Sequence, residues 1–143
     1  MRVLLLGRSA FAESEAALLQ SMEELIELDL RSCRVLKRSF EFIGKLQHLE
    51  RLNVAETSLT DAGLVQICTN AKRLIVLDVS HTDITDAGTE ALKHLVHLEI
   101  LHLDTAGITN RSLVNLTGLT KLRELDLFRL RITGLLIYQR SSS

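Results

Sequence analysis

One leucine pattern, Leu-x-x-Leu-x-Leu, recurs through the whole chain at a spacing of 24 or 25 residues. Its clearest copies start at Leu74, Leu98 and Leu122, and earlier copies start at Leu49, Leu25 and Met1, where Met replaces the first leucine. A fixed period of this length is typical of a repeat architecture, in which each unit stacks on its neighbours. The pattern therefore predicts a solenoid of six units in register.

The residues of each unit predict a short strand followed by a short helix. Alternating leucines point to the core, and the residues between them face solvent. Parallel strands need a crossover in every unit. We expect Thr85 or Asp86 to cap the helix of its unit by accepting a bond from a free N–H group. Apolar residues then form one helical face in two units: Ala91, Leu92 and Leu95, and Leu113, Leu116 and Leu119.

The full pattern of a unit, L-x-x-L-x-L-x-x-(small or polar)-x-(I/L/V), resembles the leucine-rich repeat family. Two units continue with Thr-Asp-Ala-Gly, at Thr60–Gly63 and Thr85–Gly88, a subtype in which we expect the glycines to serve turns. The stretch Leu59–Cys68 also resembles the cysteine-containing repeats of F-box adaptors, in that one unit alone. The resemblance implies an α/β solenoid, a right-handed superhelix with parallel strands on the concave face and short helices on the convex face. It also implies binding of a protein through the concave face.

The repeats divide the chain into residues 1–134, with six repeats, and a C-terminal tail, residues 135–143. Terminal repeats of a solenoid need polar caps, and neither end carries a recognisable one. The tail is either a makeshift cap or the point at which a longer array is cut, and we favour a fragment. End-to-end association through the uncapped termini is a further expectation.

Composition excludes several classes of protein. A formal net charge of -1 argues against nucleic-acid binding, which needs a basic stripe. Cys33 and Cys68 do not form a disulfide framework and are expected to be buried, reduced thiols. The apolar run Val3–Leu6 is too short for a signal peptide, and no run is long enough to span a membrane. We therefore expect a cytoplasmic protein without membrane contact.

An interior column follows the strands, at the position where many leucine-rich repeats carry Asn. Its hydroxyls can bond loop backbone groups that would otherwise be unpaired. Apolar residues at the last two positions weaken this column. In chain order it contains Ser9, Cys33, Thr57, Thr82, Ala106 and Leu130.

The concave face is the candidate binding surface, about 25 Å long for six strands. It combines a largely acidic central column with an apolar patch formed by Ile75, Val76 and Ile100, with Phe128 at one edge. Exposed apolar residues surrounded by charges are typical of an interface centre, although β-branched residues also suit strands in general. The predicted partner-binding residues are Asp29, Asn53, Ile75, Val76, Asp78, His81, Ile100, His102, Asp104, Asp126 and Phe128; Ala55, Thr105 and Arg129 are also expected to face solvent.

Histidines and carboxylates on adjacent strands raise the alternative of a metal or acid–base site around His81 and His102. An open sheet face offers little of the enclosure that catalysis needs. We therefore interpret His102 as ion-paired between Asp78 and Asp126. His48, His94 and His97 are expected to be surface residues, with His48 and His97 at equivalent repeat positions.

The chain carries no phosphate-binding glycine loop, nucleophile elbow or paired zinc signature. The leading hypothesis is a non-catalytic protein–protein interaction module that needs no cofactor or metal. The alternatives are a substrate-recognition or regulatory fragment of a larger adaptor or receptor, an enzyme or metal-binding protein, and a purely structural array.

Overall fold

The computed structural model describes residues 1–11, 13–105 and 107–128. Six three-residue strands form one parallel sheet in chain order: β1 Val3–Leu5, β2 Glu27–Asp29, β3 Arg51–Asn53, β4 Val76–Asp78, β5 Ile100–His102 and β6 Glu124–Asp126. Helices lie between them: α1 Glu13–Leu18, α2 Lys37–Gly44, α3 Asp61–Asn70, α4 Asp86–Thr89 and α5 Asn110–Leu116. The predicted α/β solenoid of strand, turn and helix is confirmed.

The strand register reproduces the sequence period. Each central leucine pairs with the equivalent leucine of the next unit, as Leu28 does with Leu52 and Leu77 does with Leu101. The unit that starts at residue 49 has one residue more than its neighbours, and it contains the longest α-helix, α3, with 10 residues. The extra residue is therefore accommodated on the helical side, and the strand ladder stays in register.

Leucines fill the space between the sheet and the helices. The central strand leucines Leu28, Leu52, Leu77 and Leu101 are at most 1% exposed. At the two ends of the described sheet, Leu4, Leu6, Leu125 and Leu127 are only partly buried, because among the described residues each has a neighbouring strand on one side. Stability of such a stack is a sum over neighbouring units, so the central units contribute most of it.

The predicted helical faces are buried, but one helix differs from the expectation. Ala91, Leu92 and Leu95 all face the core. However, α4 ends at Thr89 and continues as a 3₁₀ helix over Glu90–His94. Leu113 and Leu116 lie on α5, and Leu119 follows it, also buried. The apolar spacing thus identified the buried face and overestimated the length of α-helix behind it.

Threonine–aspartate contacts join consecutive units at the helix starts. Thr85 caps α4 by accepting a bond from the backbone N–H of Ala87 at 3.3 Å, which confirms one of the two predicted caps. Asp86 instead accepts bonds from the backbone N–H and hydroxyl of Thr109 in the next unit, at 2.8 and 2.5 Å. Asp61 binds Thr85 in the same way, at 2.7 and 2.6 Å. This motif therefore connects repeats as well as starting helices.

The glycines of the Thr-Asp-Ala-Gly motif do not serve turns, so that expectation is wrong. Gly63 and Gly88 lie in the first turns of α3 and α4. A Cβ atom at Gly88 would overlap Oδ1 of Asp61 in the preceding unit, and one at Gly63 would stand 3.0 Å from Phe40 of the preceding unit. Close approach of consecutive units, rather than backbone conformation, requires a residue without a side chain here.

The interior column is confirmed at Cys33, Thr57 and Thr82, which are buried, whereas Ser9 is exposed at the first unit. The hydroxyls of Thr57 and Thr82 donate to the carbonyl oxygens of Val54 and Val79, at 2.7 and 2.6 Å. The Ser9 hydroxyl donates to the carbonyl of Leu6, and the Cys33 thiol donates to the same carbonyl at 3.0 Å. Ala106 and Leu130 lie outside the described residues, as does the tail 135–143.

Candidate functional site

The concave face is the surface of the sheet opposite the helices, and two columns of side chains cover it. The first strand position contributes Val3, Glu27, Arg51, Val76, Ile100 and Glu124, and the third contributes Leu5, Asp29, Asn53, Asp78, His102 and Asp126. All of these side chains are at least partly exposed. The sequence therefore identified the solvent-facing positions of all six strands.

Two of the residues expected on this surface are buried instead. Ala55 is 4% exposed, and it lies in a tight turn in which its backbone N–H donates to Oδ1 of Asn53. Thr105 is 3% exposed, and its hydroxyl donates to the carbonyl of Thr82 at 2.5 Å. Arg129, a third expected member, lies outside the described residues.

The apolar patch consists of Ile75, Val76 and Ile100. Val76 and Ile100 are register partners on β4 and β5, and Ile75 precedes β4. All three are partly buried. Phe128 is 64% exposed beyond the end of β6. The structure thus leaves an accessible apolar centre on the middle strands, with an aromatic ring farther along the same face.

The acidic central column has a structural task that the sequence analysis missed. Oδ1 of Asp29, Asp78 and Asp126 accepts the backbone N–H two residues later, at 2.9–3.0 Å, and Asn53 does the same. This is the Asx turn for which Asp and Asn are favoured. Three of these turns are followed by a residue with positive φ: Ser32, Glu56 and His81. The recurrence of Asp and Asn at the third strand position was the signal in the sequence that could have predicted these turns.

One oxygen of each carboxylate therefore holds a turn, and the other faces the surface. In Asp29 the second oxygen, Oδ2, stands 3.9 Å from Arg31. In Asp78 the second oxygen stands 3.5 Å from Nδ1 of His102. A single aspartate thus shapes the turn after its strand and presents charge on the concave face.

His102 bridges two carboxylates, but not the pair that the sequence suggested. Nδ1 stands 3.5 Å from Asp78, and Nε2 stands 3.0 Å from Oε1 of Glu124, not from Asp126. Glu124 occupies the first position of β6, two residues before Asp126, which is the register partner of His102. Partial burial lowers the pKa of His102, but hydrogen bonding to Glu124 and the charge of Asp78 outweigh it, so the pKa is raised above its ordinary value.

The cations that pair with the other carboxylates of the concave face differ between its two halves. On the first half, arginines face carboxylates: Glu27 lies 3.7 Å from Arg51, and Glu50 lies 3.6 Å from Arg73. On the second half, Arg123 pairs with Glu99 at 3.1 Å, and His81 lies 3.5 Å from Asp104. The predicted site residues are thus brought together in two pairs, His81 with Asp104 and His102 with Asp78, and Glu124 joins the second pair although it was not among the predicted binding residues.

The remaining histidines are exposed, as expected. Nδ1 of His48 lies 3.2 Å from Arg73, and Nδ1 of His97 lies 3.2 Å from Lys121 in the next unit. His94 ends the 3₁₀ helix on the helical side. The equivalent contacts of His48 and His97 confirm that they follow the repeat. Across residues 1–11, 13–105 and 107–128, no group of three or more His, Cys, Asp or Glu side chains is arranged to hold a metal ion.

The described helices have at most the 10 residues of α3, and none of them has the length and apolar character needed to span a bilayer.

A family model described as "Leucine Rich repeat" matches residues 45–68 and 74–93. This match falls on the central units of the solenoid. The chain therefore contains leucine-rich repeats. The family model does not distinguish the Thr-Asp-x-Gly subtype, and the F-box resemblance stays a prediction.

Solved structures of two internalins share the fold. Internalin C2 from Listeria monocytogenes matches with a TM-score of 0.72 and 24% identity, covering 92% of this chain and 54% of that chain. The internalin InlF from the same organism matches with a TM-score of 0.61 and 19% identity, covering 94% of this chain and 43% of that chain. This leucine-rich repeat chain thus spans about half the length of those structures. A search of curated proteins gave no match.

Proposed function

We propose that this leucine-rich repeat protein is a non-catalytic interaction module that binds a partner protein through its concave face. Solenoids of this kind use their curvature to form extended concave binding surfaces. The observation that carries the proposal is the accessible apolar patch of Ile75, Val76 and Ile100, surrounded by Asp78, His102 and Asp104. An apolar centre with a polar rim is the usual arrangement of a protein interface.

The geometry favours binding over catalysis. His102 is engaged by two carboxylates, and 31% of its side chain stays exposed to solvent. Catalytic sites are usually concave pockets that shield the reacting groups from water. The carboxylates also hold the turns after their strands, which explains their presence without a reaction.

We further infer a division into six repeats over residues 1–134 and a tail over residues 135–143, and a cytoplasmic location. The two cysteines support the latter, because both are free and buried. Burial raises the pKa of the Cys68 thiol to about 12, so this thiol is unreactive at neutral pH. Reduced cysteines are usual in a reducing compartment.

Capture of partners from an extract of the cells that express the protein tests the proposal. The double variant Val76→Glu with Ile100→Glu places two charges in the apolar patch, and we expect it to lose at least ten-fold of the captured partner. The control is Val65→Glu with Val114→Glu on the helical side, where these valines are 46% and 71% exposed. Equal loss with both variants, or with neither, in proteins of unchanged circular dichroism would contradict concave-face binding.

A further inference from the structure

The charge on the concave face is unevenly neutralised, and this unevenness indicates the chemistry of a partner. Over β2 and β3 the carboxylates of Glu27 and Glu50 lie within ion-pair distance of Arg51 and Arg73. Over β4 to β6 the carboxylates of Asp78, Asp104 and Glu124 lie against imidazoles instead, and Asp126 adds a fourth carboxylate. Arginine stays charged at all physiological pH values, whereas histidine is largely neutral above its pKa.

Over the described residues of β4 to β6, the concave face is therefore anionic at neutral pH around an apolar centre. In this described part, four carboxylates are opposed by two histidines, His81 and His102, besides the Glu99–Arg123 pair. Val76, Ile100 and Ile75 lie between these carboxylates and are partly accessible. We call this set the anionic patch.

We propose that the anionic patch binds a segment of the partner in which apolar side chains are flanked by lysine or arginine, and that protonation of His102, which lies between Asp78 and Glu124, weakens this binding. The inference rests on the proposed concave-face function and names the partner's chemistry. Complementary charge across an interface selects partners and suppresses like-charged ones. An acidic segment would be repelled by the carboxylates of the patch. A purely polar segment would leave the apolar residues Val76 and Ile100 in contact with water.

The spacing of the patch suggests a specific probe. Asp78 and Asp126 occupy the same column on strands two apart, a separation of about 9.6 Å for sheet spacings of ~4.8 Å. Three residues of extended chain cover about 10 Å. The lysines at the ends of Lys-Ile-Ile-Lys are thus spaced to reach the two aspartates with their long, flexible side chains. Because side chains alternate along an extended chain, one of the two isoleucines between them faces Val76 and Ile100.

His102 determines how the binding responds to pH. It faces Asp78 from β4 and Glu124 from β6, and the Glu99–Arg123 pair stands nearby at the entry to β5 and β6. Below its pKa the His102 imidazolium neutralises Asp78 and Glu124, and a lysine of the partner must compete with it. Lysine and arginine stay charged between pH 5.5 and pH 7.5, and ordinary carboxylates are almost fully ionised there, so the part of the change in affinity that His102→Gln removes reports His102.

Fluorescence anisotropy with three labelled 12-residue peptides in a Gly-Ser background tests the proposal on the whole chain. The peptides contain Lys-Ile-Ile-Lys, Glu-Ile-Ile-Glu or Lys-Ser-Ser-Lys. We expect the first to bind at least five-fold more tightly than either of the others, and two- to five-fold more tightly at pH 7.5 than at pH 5.5. His102→Gln is expected to reduce this pH dependence, and His94→Gln, on the helical side, to leave it unchanged.

Asp78→Asn is the matched charge variant, because Asn53 makes the same Asx turn at the equivalent position. It removes a charge and preserves the turn, and we expect it to weaken Lys-Ile-Ile-Lys binding at least three-fold. Asp83→Asn, at an exposed position outside the strands, is the control. Equal binding of the three peptides, or preference for the acidic one, would overturn the inference.

The peptide test and the capture test fail in different ways. If the peptides do not discriminate but Val76→Glu with Ile100→Glu still loses the partner, the concave face binds and the inferred chemistry is wrong. If the basic peptide binds equally well to that double variant, the concave face is not its site, and both proposals fall.

Discussion

Aspartates link neighbouring units on two sides of this solenoid, and their surroundings give them different roles. At the helix starts, Asp86 accepts bonds from the backbone and hydroxyl of Thr109 and from the hydroxyl of Ser112. On the concave face, Asp78 meets the titratable ring of His102 on an open surface. The first contact joins units with groups that do not titrate in the physiological range, whereas the second can be rearranged by protons or by a partner.

This difference teaches that residue type alone does not separate structural from binding carboxylates. Both aspartates stand one repeat from their partners and both are partly exposed. What distinguishes them is the donor set: hydroxyl and backbone donors on one side, imidazole on the other. The helix-start side should therefore determine stability, and the concave face should determine binding.

The largest expected effect comes from the core that both sides share. Leu101 is fully buried at the centre of β5. Replacing it by alanine should lower the free energy of unfolding by about 2–5 kcal/mol, because transfer energy is lost and a cavity is left. Val76→Ala, a truncation on the concave face, should cost less than about 1 kcal/mol, since a partly exposed side chain loses less burial. Urea unfolding would measure both, and equal costs would remove the distinction between core and surface.

Gly88→Ala tests whether the helix starts hold the units together. The new Cβ would overlap Oδ1 of Asp61, so the contact between Asp61 and Thr85 must move. We expect a loss of about 1–3 kcal/mol of unfolding free energy. Gly118→Ala is the control, because no atom lies within 4 Å of its Cβ. A Gly88→Ala protein as stable as Gly118→Ala would show that the units tolerate a wider separation.

Asp86→Asn should lower stability by about 1–2 kcal/mol at pH 7, as one carboxylate oxygen becomes a donor facing hydroxyl groups. Burial opposes ionisation of Asp86, but hydrogen bonds from Ser112 and Thr109 outweigh it and hold its pKa below the ordinary value. A depressed pKa contributes stability that is present above the unfolded pKa, about 4, and is lost as pH falls through the folded pKa. Between pH 7 and pH 2.5, the melting temperature should therefore fall less steeply in Asp86→Asn than in Asp83→Asn. Parallel curves would contradict this role of Asp86.

His102→Gln should have the smallest effect on stability, within about 0.5 kcal/mol, as expected for exposed ion pairs. The contribution of His102 to stability changes with pH in the opposite direction to that of Asp86. The raised pKa of His102 contributes stability that is present below the unfolded pKa, about 6.5, and is lost as pH rises through the folded pKa. The wild type should thus lose slightly more stability than the variant between pH 5.5 and pH 8.5. An equal change in melting temperature with pH in the wild type and in His102→Gln would show that groups other than His102 cause the pH dependence.

Much of the fold was predictable because the repeat specifies it redundantly. Leu28, Leu52, Leu77 and Leu101 recur at one position, so one pattern fixed strand direction, register and burial together. The length of α4 was not predictable, because apolar spacing identifies a buried face and does not distinguish α-helix from 3₁₀ helix over five residues. The role of Gly88 was missed because its contact, Asp61, belongs to the preceding unit.

The binding surface was predictable in position and less so in its contacts. Strand alternation placed Val76, Ile100 and Asp78 on the concave face. It could not show that His102 turns to Glu124 rather than Asp126, because that choice depends on rotamers rather than on register. Nor could it show that Thr105 turns inward, since the loop after β5 sets that direction.

Methyl NMR of the isoleucine and valine side chains, with and without a captured partner, tests concave-face binding most directly. Binding should shift the methyl signals of Ile75, Val76 and Ile100 and leave those of Val65 and Val114 on the helical side unchanged. Shifts confined to Val65 and Val114, with the three concave residues unaffected, would contradict the account.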